Sequence, residues 1–266
     1  MRPMIIDEKK ISEILKEENI ECKIIAYSVT DSTNLRAKEW AAEHTENRSP
    51  VVFIADSQTA GRGRLGRSFH SAAGTGIYIT FLLYPESRGF DATAVTAYSA
   101  VKLARAVEGV SSAVPKIKWV NDLYLEDKKL AGILAEGVMH SDGSLACLIL
   151  GMGINVYKTA FPGEISAIAT TIEDATGEHI DRDAFAAEII KQILSQIYNP
   201  NTDDIYNEYV SRSAILGKEL TVTKGNESYA ARALEIARDF SLIVDRGGSV
   251  ERLFTGEVSA HLKNDQ

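Results

Sequence analysis

The residues best equipped for chemistry stand in one short run, Gly61-Arg62-Gly63-Arg64-Leu65-Gly66-Arg67. Three arginines offer planar, permanently charged forks that fit phosphate and carboxylate groups, and the interleaved glycines lower the steric cost of unusual backbone angles. The run also matches a GxGxxG dinucleotide fingerprint, which requires a helix after the glycines inside a crossover to a parallel strand. Only ten residues separate Gly66 from Ile77, Gly74 and Gly76 among them, so a crossover helix does not fit. The run therefore reads as an anion-binding loop or as a solvated basic turn. With so little side-chain packing to hold it, the loop Gly61–Gly74 is expected to be mobile when empty and to order around an anionic ligand.

Three other segments carry unusual polar or glycine placements. Lys118-Trp119-Val120-Asn121-Asp122-Leu123-Tyr124 sets two polar side chains in apolar surroundings, although Asn-Asp alone also makes a plain turn. Lys129-Leu130-Ala131-Gly132-Ile133-Leu134-Ala135-Glu136 opens with a lysine at a hairpin end, a position that is ordinarily solvated. Gly151-Met152-Gly153-Ile154-Asn155-Val156 puts glycines inside a strand pattern, which marks a bulge, tight packing or close approach of a ligand. Upstream, Asp31-Ser32-Thr33-Asn34 has the residue types of a helix start, so its side chains serve as caps, as ligand contacts or as both.

The elements that must hold these groups follow from hydrophobic spacing. Asp7–Asn19 is an amphipathic helix with Ile11, Ile14 and Leu15 on one face, and a second helix begins at Asp31–Asn34. Strands are expected at Lys23–Tyr27, Pro50–Ala55, Ile77–Tyr84, Ile117–Val120, Leu123–Glu126, Leu130–Gly137 and Leu145–Val156, with a hairpin turn at Glu126–Lys129. Helices are expected at Ala92–Glu108, Asp183–Tyr198 and Asp203–Ser213. After Gly217 the chain turns to short strands at Glu219–Thr223, Ala230–Ala237, Ser241–Val244, Val250–Phe254 and Val258–Leu262. That change implies a small barrel, residues 218–266, appended to an α/β unit of residues 1–217.

The chain has 266 residues, 45% of them hydrophobic and 25% charged, as in an ordinary folded protein with a sizeable core. Its net charge of −8 disfavours nucleic acid as a partner, so phosphate binding must be local. The longest nearly apolar run, Leu145–Ile154, is about half of the roughly 20 residues that a membrane span needs. The acidic turn at Asp7 interrupts any signal peptide. Two isolated cysteines, Cys22 and Cys147, fit neither a disulfide framework nor a cysteine zinc site and suit the cytoplasm.

Taken together the segments resemble the biotin protein ligase family. The family's GRGRxGR loop stands at Gly61–Arg67, preceded by Gln58-Thr59-Ala60, expected on a strand. Asp31–Asn34, KWxND at Lys118–Asp122, KLAGIL at Lys129–Leu134 and GxGIN at Gly151–Asn155 follow the family's order, and Gly256-Glu257-Val258-Ser259 is similar to its terminal barrel. The match runs from Tyr27 to Leu262. One departure is Val120, where the family usually has proline. The 26 residues before Tyr27 hold one helix, whereas a helix-turn-helix needs two, so the resemblance is to the short monofunctional type without a DNA-binding domain.

The resemblance implies an α+β fold, with a mixed β-sheet packed by helices as in class II aminoacyl-tRNA synthetases and a C-terminal SH3-like β-barrel. It implies formation of biotinyl-5′-AMP from biotin and ATP with Mg²⁺, then transfer of biotin to a lysine of a biotin carboxyl carrier protein. Ser32, Thr33, Asn34 and Gln58 would meet the ureido ring, with Arg62, Gly63, Arg64 and Lys129 also against biotin. Arg62, Arg64, Arg67, Phe69, Asn121 and Asn155 would hold ATP or the adenylate. Lys129, Arg64 and Asp122 would carry catalysis, and no metal ligand is assigned. The protein would be a monomer or a homodimer. A lipoate-type ligase and a non-catalytic biotin sensor are the alternatives.

Overall fold

Two strands without an exposed position form the middle of the fold: every residue of Val51–Ala55 and of Gly76–Leu83 is buried. A computed structural model of the chain describes residues 6–46, 48–84, 91–200, 202–225, 227–254 and 257–260. In chain order the elements are α1 (Glu8–Glu17), β1 (Lys23–Tyr27), α2 (Thr33–Glu43), β2 (Val51–Ala55), β3 (Gly76–Leu83), α3 (Ala92–Val110), β4 (Lys116–Lys118), β5 (Asp122–Leu125), β6 (Lys128–Met139), β7 (Leu145–Asn155), α4 (Ile165–Ile168), α5 (Ile172–Thr176), α6 (Arg182–Leu194), α7 (Asp203–Ser211), β8 (Glu219–Lys224), β9 (Glu227–Ile236), β10 (Leu242–Arg246), β11 (Ser249–Leu253) and β12 (Glu257–Ala260).

Among the described residues β1 to β7 form one sheet in the order β1-β2-β3-β7-β6-β5-β4, and β8 to β12 form a second in the order β11-β10-β9-β8-β12. In the first sheet β1 and β2 run parallel and every other neighbour pair is antiparallel, so the sheet is mixed; the second is antiparallel throughout. The fold is thus α+β, a large mixed sheet with a small antiparallel one. Because β2 and β3 pair antiparallel, the glycine-arginine run joins antiparallel neighbours and cannot be a crossover loop.

Side-chain alternation divides the first sheet into two faces. Val52, Ile54, Ile77, Ile79 and Phe81 join the main core with Ile11 and Leu15 of α1, Tyr98 and Val101 of α3 and Phe185 and Ile189 of α6. Val51, Phe53 and Leu82 point the other way, into a smaller cluster with Ala37 of α2 and Ile149 of β7. Among the described residues α2 packs on that second face, and the candidate site lies beside its first turn. Among the described residues no helix is long and apolar enough to cross a membrane.

Several local expectations are corrected. Gln58-Thr59-Ala60 is not on a strand: β2 ends at Ala55, and the backbone then crosses to bond Gln58 N–H to Ser71 O, Thr59 N–H to Thr30 O and Ala60 N–H to Asp31 O. Val120 lies beyond β4, in a turn whose Trp119–Val120 peptide bond is cis. The hairpin turn is only Glu126-Asp127, so Lys129 belongs to β6. The loop after Gly61 contains a 3-10 turn at Arg64–Gly66. The short α4 and α5 are too brief to show a periodic pattern in the sequence. Gly256 and Leu262 lie outside the described residues.

One buried ion pair ties α6 to this sheet immediately before the site loop. Arg182 Nη2 stands 2.7 Å from Asp56 Oδ1, and Arg182 Nη1 donates to Gly76 O at 3.0 Å. Both side chains are about as inaccessible as the core, at 3% and 5% exposure. Removing one member of such a pair strands the other charge in a dry setting, at a cost of about 3–5 kcal/mol. Asp56→Ala is therefore expected to lower the unfolding free energy by about that amount in urea denaturation. A loss below about 1 kcal/mol, the range of exposed ion pairs, would show that the pair does not hold α6 to the sheet.

Candidate active site

Glycines make the floor of a narrow cavity of about 50 Å³ on the α2 side of the sheet. Gly151 of β7 pairs with Thr80 of β3 and Leu134 of β6, and Gly153 pairs with Tyr78 and Gly132. A Cβ at Gly151 would lie 2.1 Å from Asn34 Oδ1, and one at Gly153 would lie 2.5 Å from the Phe69 ring. These glycines are therefore required by close approach of side chains, which settles what the sequence left open among bulge, packing and access.

The wall of the cavity is Ser32, Thr33 and Asn34 at the start of α2, with Gln58 from the crossing segment. Ser32 occupies the N-cap position, yet among the described residues its side chain makes no cap hydrogen bond. The capping explanation of this cluster therefore accounts for the helix start but not for the side chains. Thr33 N–H donates to Gln58 Oε1 at 2.8 Å, and Gln58 Nε2 donates to Ser71 Oγ at 3.0 Å. Asn34 Nδ2 donates to Glu136 Oε2 at 3.0 Å, and Lys38 Nζ donates to Glu136 Oε1 at 2.7 Å. Burial works to raise the Glu136 pKa, but the Lys38 and Asn34 hydrogen bonds and the Lys38 and Arg62 charges outweigh it and hold the carboxyl below its ordinary range.

The narrow cavity adjoins a wider cleft of about 430 Å³, and Gly63, Arg64, Phe69, Asn121 and Lys129 line both. Arg64 Nη1 donates to Asn121 Oδ1 at 2.9 Å, while Asn121 Nδ2 donates to Ile133 O at 2.9 Å. Lys129 Nζ stands 2.8 Å from Asp122 Oδ2, with both side chains part-buried. Its stem passes over Gly132, where a Cβ would be 3.1 Å from both Cε and Nζ. Lys129 is thus not the solvated hairpin-end lysine of the plain reading. Asp122 Oδ1 is buried without a hydrogen-bond partner among the described residues. The cleft also reaches Arg67, Tyr124 and Asn155. Asn155 Nδ2 donates to Thr170 O at 3.1 Å. Burial and the Asp122 charge push the Tyr124 hydroxyl up to about 12.

All the candidate catalytic and binding residues named in the sequence therefore border one of two joined spaces. Ser32, Thr33, Asn34, Gln58 and Arg62 line the narrow one, Arg67, Asp122 and Asn155 the wide one, and Gly63, Arg64, Phe69, Asn121 and Lys129 both. Sequence reasoning missed Thr80, Ser71, Lys38 and Glu136, which hold the wall. The available signals were a threonine within the apolar run Ile77–Tyr84 and a carboxylate ending Lys129–Glu136.

This pair of spaces, with cations between them on a mixed α+β sheet, defines the class. Residues 26–155 match the Biotin/lipoate A/B protein ligase family. The biotin–[acetyl-CoA-carboxylase] ligase of Mycobacterium tuberculosis is 30% identical over 80% of this chain and 79% of its own length. The bifunctional ligase/repressor BirA of Bacillus subtilis is 29% identical over 97% of this chain and 80% of its own. The biotin protein ligase of Aquifex aeolicus, solved with biotin and ATP, superposes with a TM-score of 0.76 at 28% identity, covering 90% of this chain and 98% of that one. This chain belongs to the biotin protein ligase family.

Gly153 offers a direct check of the floor. A methyl group there must displace the Phe69 ring, which packs edge-on against Tyr78. Gly153→Ala is expected to destabilise the fold by about 1–3 kcal/mol, the usual cost of overpacking, with a shift of the Phe69 ring resonances. Unchanged stability together with unchanged ring resonances would refute this packing.

Proposed function

We propose that this protein activates biotin with ATP as biotinyl-5′-AMP, releasing pyrophosphate, and then transfers the biotinyl group to one lysine of a biotin carboxyl carrier protein. The observation that carries this reading is the continuity of the two spaces: polar side chains line the narrow one, and Arg64 and Lys129 stand where it meets the wide one. The neighbour from Aquifex aeolicus, similar over 90% of this chain, carries biotin and ATP.

In this reading Ser32, Thr33, Asn34 and Gln58 serve the ureido ring, whose donors and acceptors need partners when buried. Arg62, Gly63 and Arg64 close over the biotin, and Arg64, Arg67, Phe69, Asn121 and Asn155 receive the nucleotide. The biotin carboxylate attacks the α-phosphorus and pyrophosphate leaves, so two anions must meet. Lys129 and Arg64 offset that repulsion, and their charges persist through the transition state. Asp122 holds the Lys129 ammonium in place through its 2.8 Å contact. In the second step the carrier lysine amine attacks the acyl carbon and AMP leaves, with Asp122 Oδ1 the acceptor available to the incoming group.

Mg²⁺ would accompany the triphosphate. It would be held largely by phosphate oxygens and water, with Asn155 Oδ1 in the wide cleft as the protein oxygen. The change from a mixed sheet to a separate antiparallel one supports a catalytic domain at 1–217, of the class II synthetase kind, and an SH3-like domain at 218–266. Two free cysteines fit a cytoplasmic setting.

Purified protein with biotin and Mg·ATP is expected to release pyrophosphate without any carrier protein. Folded protein showing no biotin-dependent release would overturn the assignment. Lys129→Ala is expected to slow single-turnover formation of biotinyl-AMP about 100- to 1000-fold, as when one preorganised charge is lost from an active site. A rate within a few-fold of wild type would assign that charge to Arg64 instead. Arg64→Ala is expected to leave the melting temperature nearly unchanged while speeding dissociation of biotinyl-AMP about tenfold or more, as befits a charge-assisted contact to an anion. Equal retention by variant and wild type would exclude Arg64 from the adenylate.

A further inference from the structure

A row of lysines leads away from the point where the two spaces meet. In the β4–β5 hairpin Lys116 pairs with Tyr124 and Lys118 with Asp122; directly opposed residues share a face, so these four side chains stand on one side of the sheet. Tyr124 also pairs with Lys129 of β6, whose ammonium meets Asp122. Lys129 lines both spaces of the site. Lys118 lines the wide cleft and also a further cavity of about 290 Å³, and Lys116 lines that further cavity. Tyr124 borders both as Lys118 does, and Lys118 Nζ lies 3.3 Å from its hydroxyl and 5.0 Å from its ring centre. The other wall is the segment between α7 and β8. Ile117 N–H donates to Arg212 O and Ala214 N–H donates to Ile117 O, both at 2.8 Å, which lays this segment along β4 and brings Lys218 to the cavity. Glu126 and Asp127 of the hairpin turn border it too, so three ammonium groups stand against two carboxylates. Lys116 and Lys218 are exposed, and among the described residues neither side chain has an ion pair or a hydrogen bond.

We propose that this further cavity is a pyrophosphate site on the way out of the wide cleft, reached by passage from Lys129 to Lys118 and then to Lys116 and Lys218. The inference rests on the biotin ligase reading given above and extends it to product release. When the bond from the α-phosphorus to the leaving oxygen breaks, its electron pair goes with pyrophosphate. That polyanion must then leave a site whose cations hold it. The wide cleft draws apolar lining from Phe69, Phe161, Ile165 and Ile168, which suits the flat face of a base, and cationic lining from the hairpin, which suits the phosphates. A chain with a net charge of −8 repels an anion over most of its surface, whereas a row of ammonium groups that grows more exposed offers it successive partners. Lysine suits a handover because it is a point charge on a flexible stem, where an arginine fork would clamp the phosphate in two bonds. The same row repels the protonated amine of an incoming carrier lysine, so it favours the exit of an anion over the entry of the second substrate.

The test is biotin-dependent exchange of radiolabelled pyrophosphate into ATP by the full-length chain. In the exchange a pyrophosphate oxygen attacks the α-phosphorus of biotinyl-AMP, the biotin carboxylate leaves, and ATP is formed again. The double variant Lys116→Ala, Lys218→Ala is expected to need about tenfold more pyrophosphate for half-maximal exchange, since two charge-assisted contacts are lost. Neither lysine borders the narrow cavity or the wide cleft, so the KM values for biotin and ATP, measured with inorganic pyrophosphatase present, are expected to stay within about twofold of wild type. Lys116→Arg with Lys218→Arg keeps both charges and is expected to keep the pyrophosphate requirement near that of wild type. Lys9→Ala with Lys16→Ala removes the same charge from α1, which contacts β1 at the opposite edge of the sheet, and is expected to leave the exchange unchanged. A pyrophosphate requirement within about twofold of wild type in the Lys116→Ala, Lys218→Ala variant would overturn the proposal, as would an equal rise in the α1 variant. A higher KM for the carrier protein with pyrophosphate kinetics unchanged would also overturn it and assign this surface to the carrier. Wild type that shows no biotin-dependent exchange would overturn the ligase reading itself.

Discussion

The structure of the site follows from how closely the first turn of α2 lies on β7. Position 151 has no room for a β-carbon because Asn34 Oδ1 would be 2.1 Å away. At that separation water is excluded, so every polar atom brought there must be satisfied by another protein group. The fold meets the requirement with side chains from α2, β3 and β6, together with Gln58 and Ser71 from the loop between β2 and β3. The same constraint explains why Thr80 can stand in the middle of an otherwise apolar strand. Its hydroxyl is not a tolerated defect but the group that joins Asn34 to Thr33.

A second constraint is electrostatic. The chain carries a net charge of −8, yet the region between the two spaces gathers Arg64 and Lys129. Neither is left to wander: Arg64 is bonded to Asn121, and Lys129 is paired with Asp122. Holding a cation against a neutral amide or a single carboxylate keeps it oriented without exhausting its hydrogen-bonding capacity, since a guanidinium has five donors and an ammonium three. Cations fixed in this way need little reorganisation when an anion arrives, and this is the condition for electrostatic stabilisation of a charged transition state.

The sequence revealed the elements and most of the site for definable reasons. Strands such as Val51–Ala55 are short apolar runs bounded by turn residues, and Gly61–Arg67 announces itself through residue types alone. Gln58 lines the narrow cavity but was expected on a strand, because nothing local signals that the backbone leaves β2 at Ala55 to cross toward Thr30 and Asp31. The supporting network was not legible. Asn34 and Glu136 lie 102 positions apart, and Asn34 and Thr80 lie 46 apart, so their pairing is a product of sheet order rather than of spacing. Position alone put Lys129 at an ordinarily solvated hairpin end, and only the family resemblance marked it for the site, because its partner, Asp122, sits across a hairpin whose register shifts between Leu123 and Tyr124.

Val120 shows how a tertiary contact replaces a local device. A proline at this place would restrict the backbone through its own ring. Here the turn is restrained from outside. Trp119 Nε1 donates to Phe240 O at 2.8 Å, and the buried Tyr209 hydroxyl donates to Val120 O at 3.1 Å. Phe240 in turn packs edge-on against Tyr209, with a backbone φ of 60° in the left-handed region that a phenylalanine rarely adopts. The next residue, Asn121, anchors Arg64, so the small antiparallel sheet and α7 both bear on the position of a cation facing the two spaces. A disturbance near Phe240 would therefore reach Arg64 through the Trp119–Phe240 hydrogen bond, the backbone from Trp119 to Asn121 and the Asn121–Arg64 hydrogen bond, and so bear on the point where the two spaces meet.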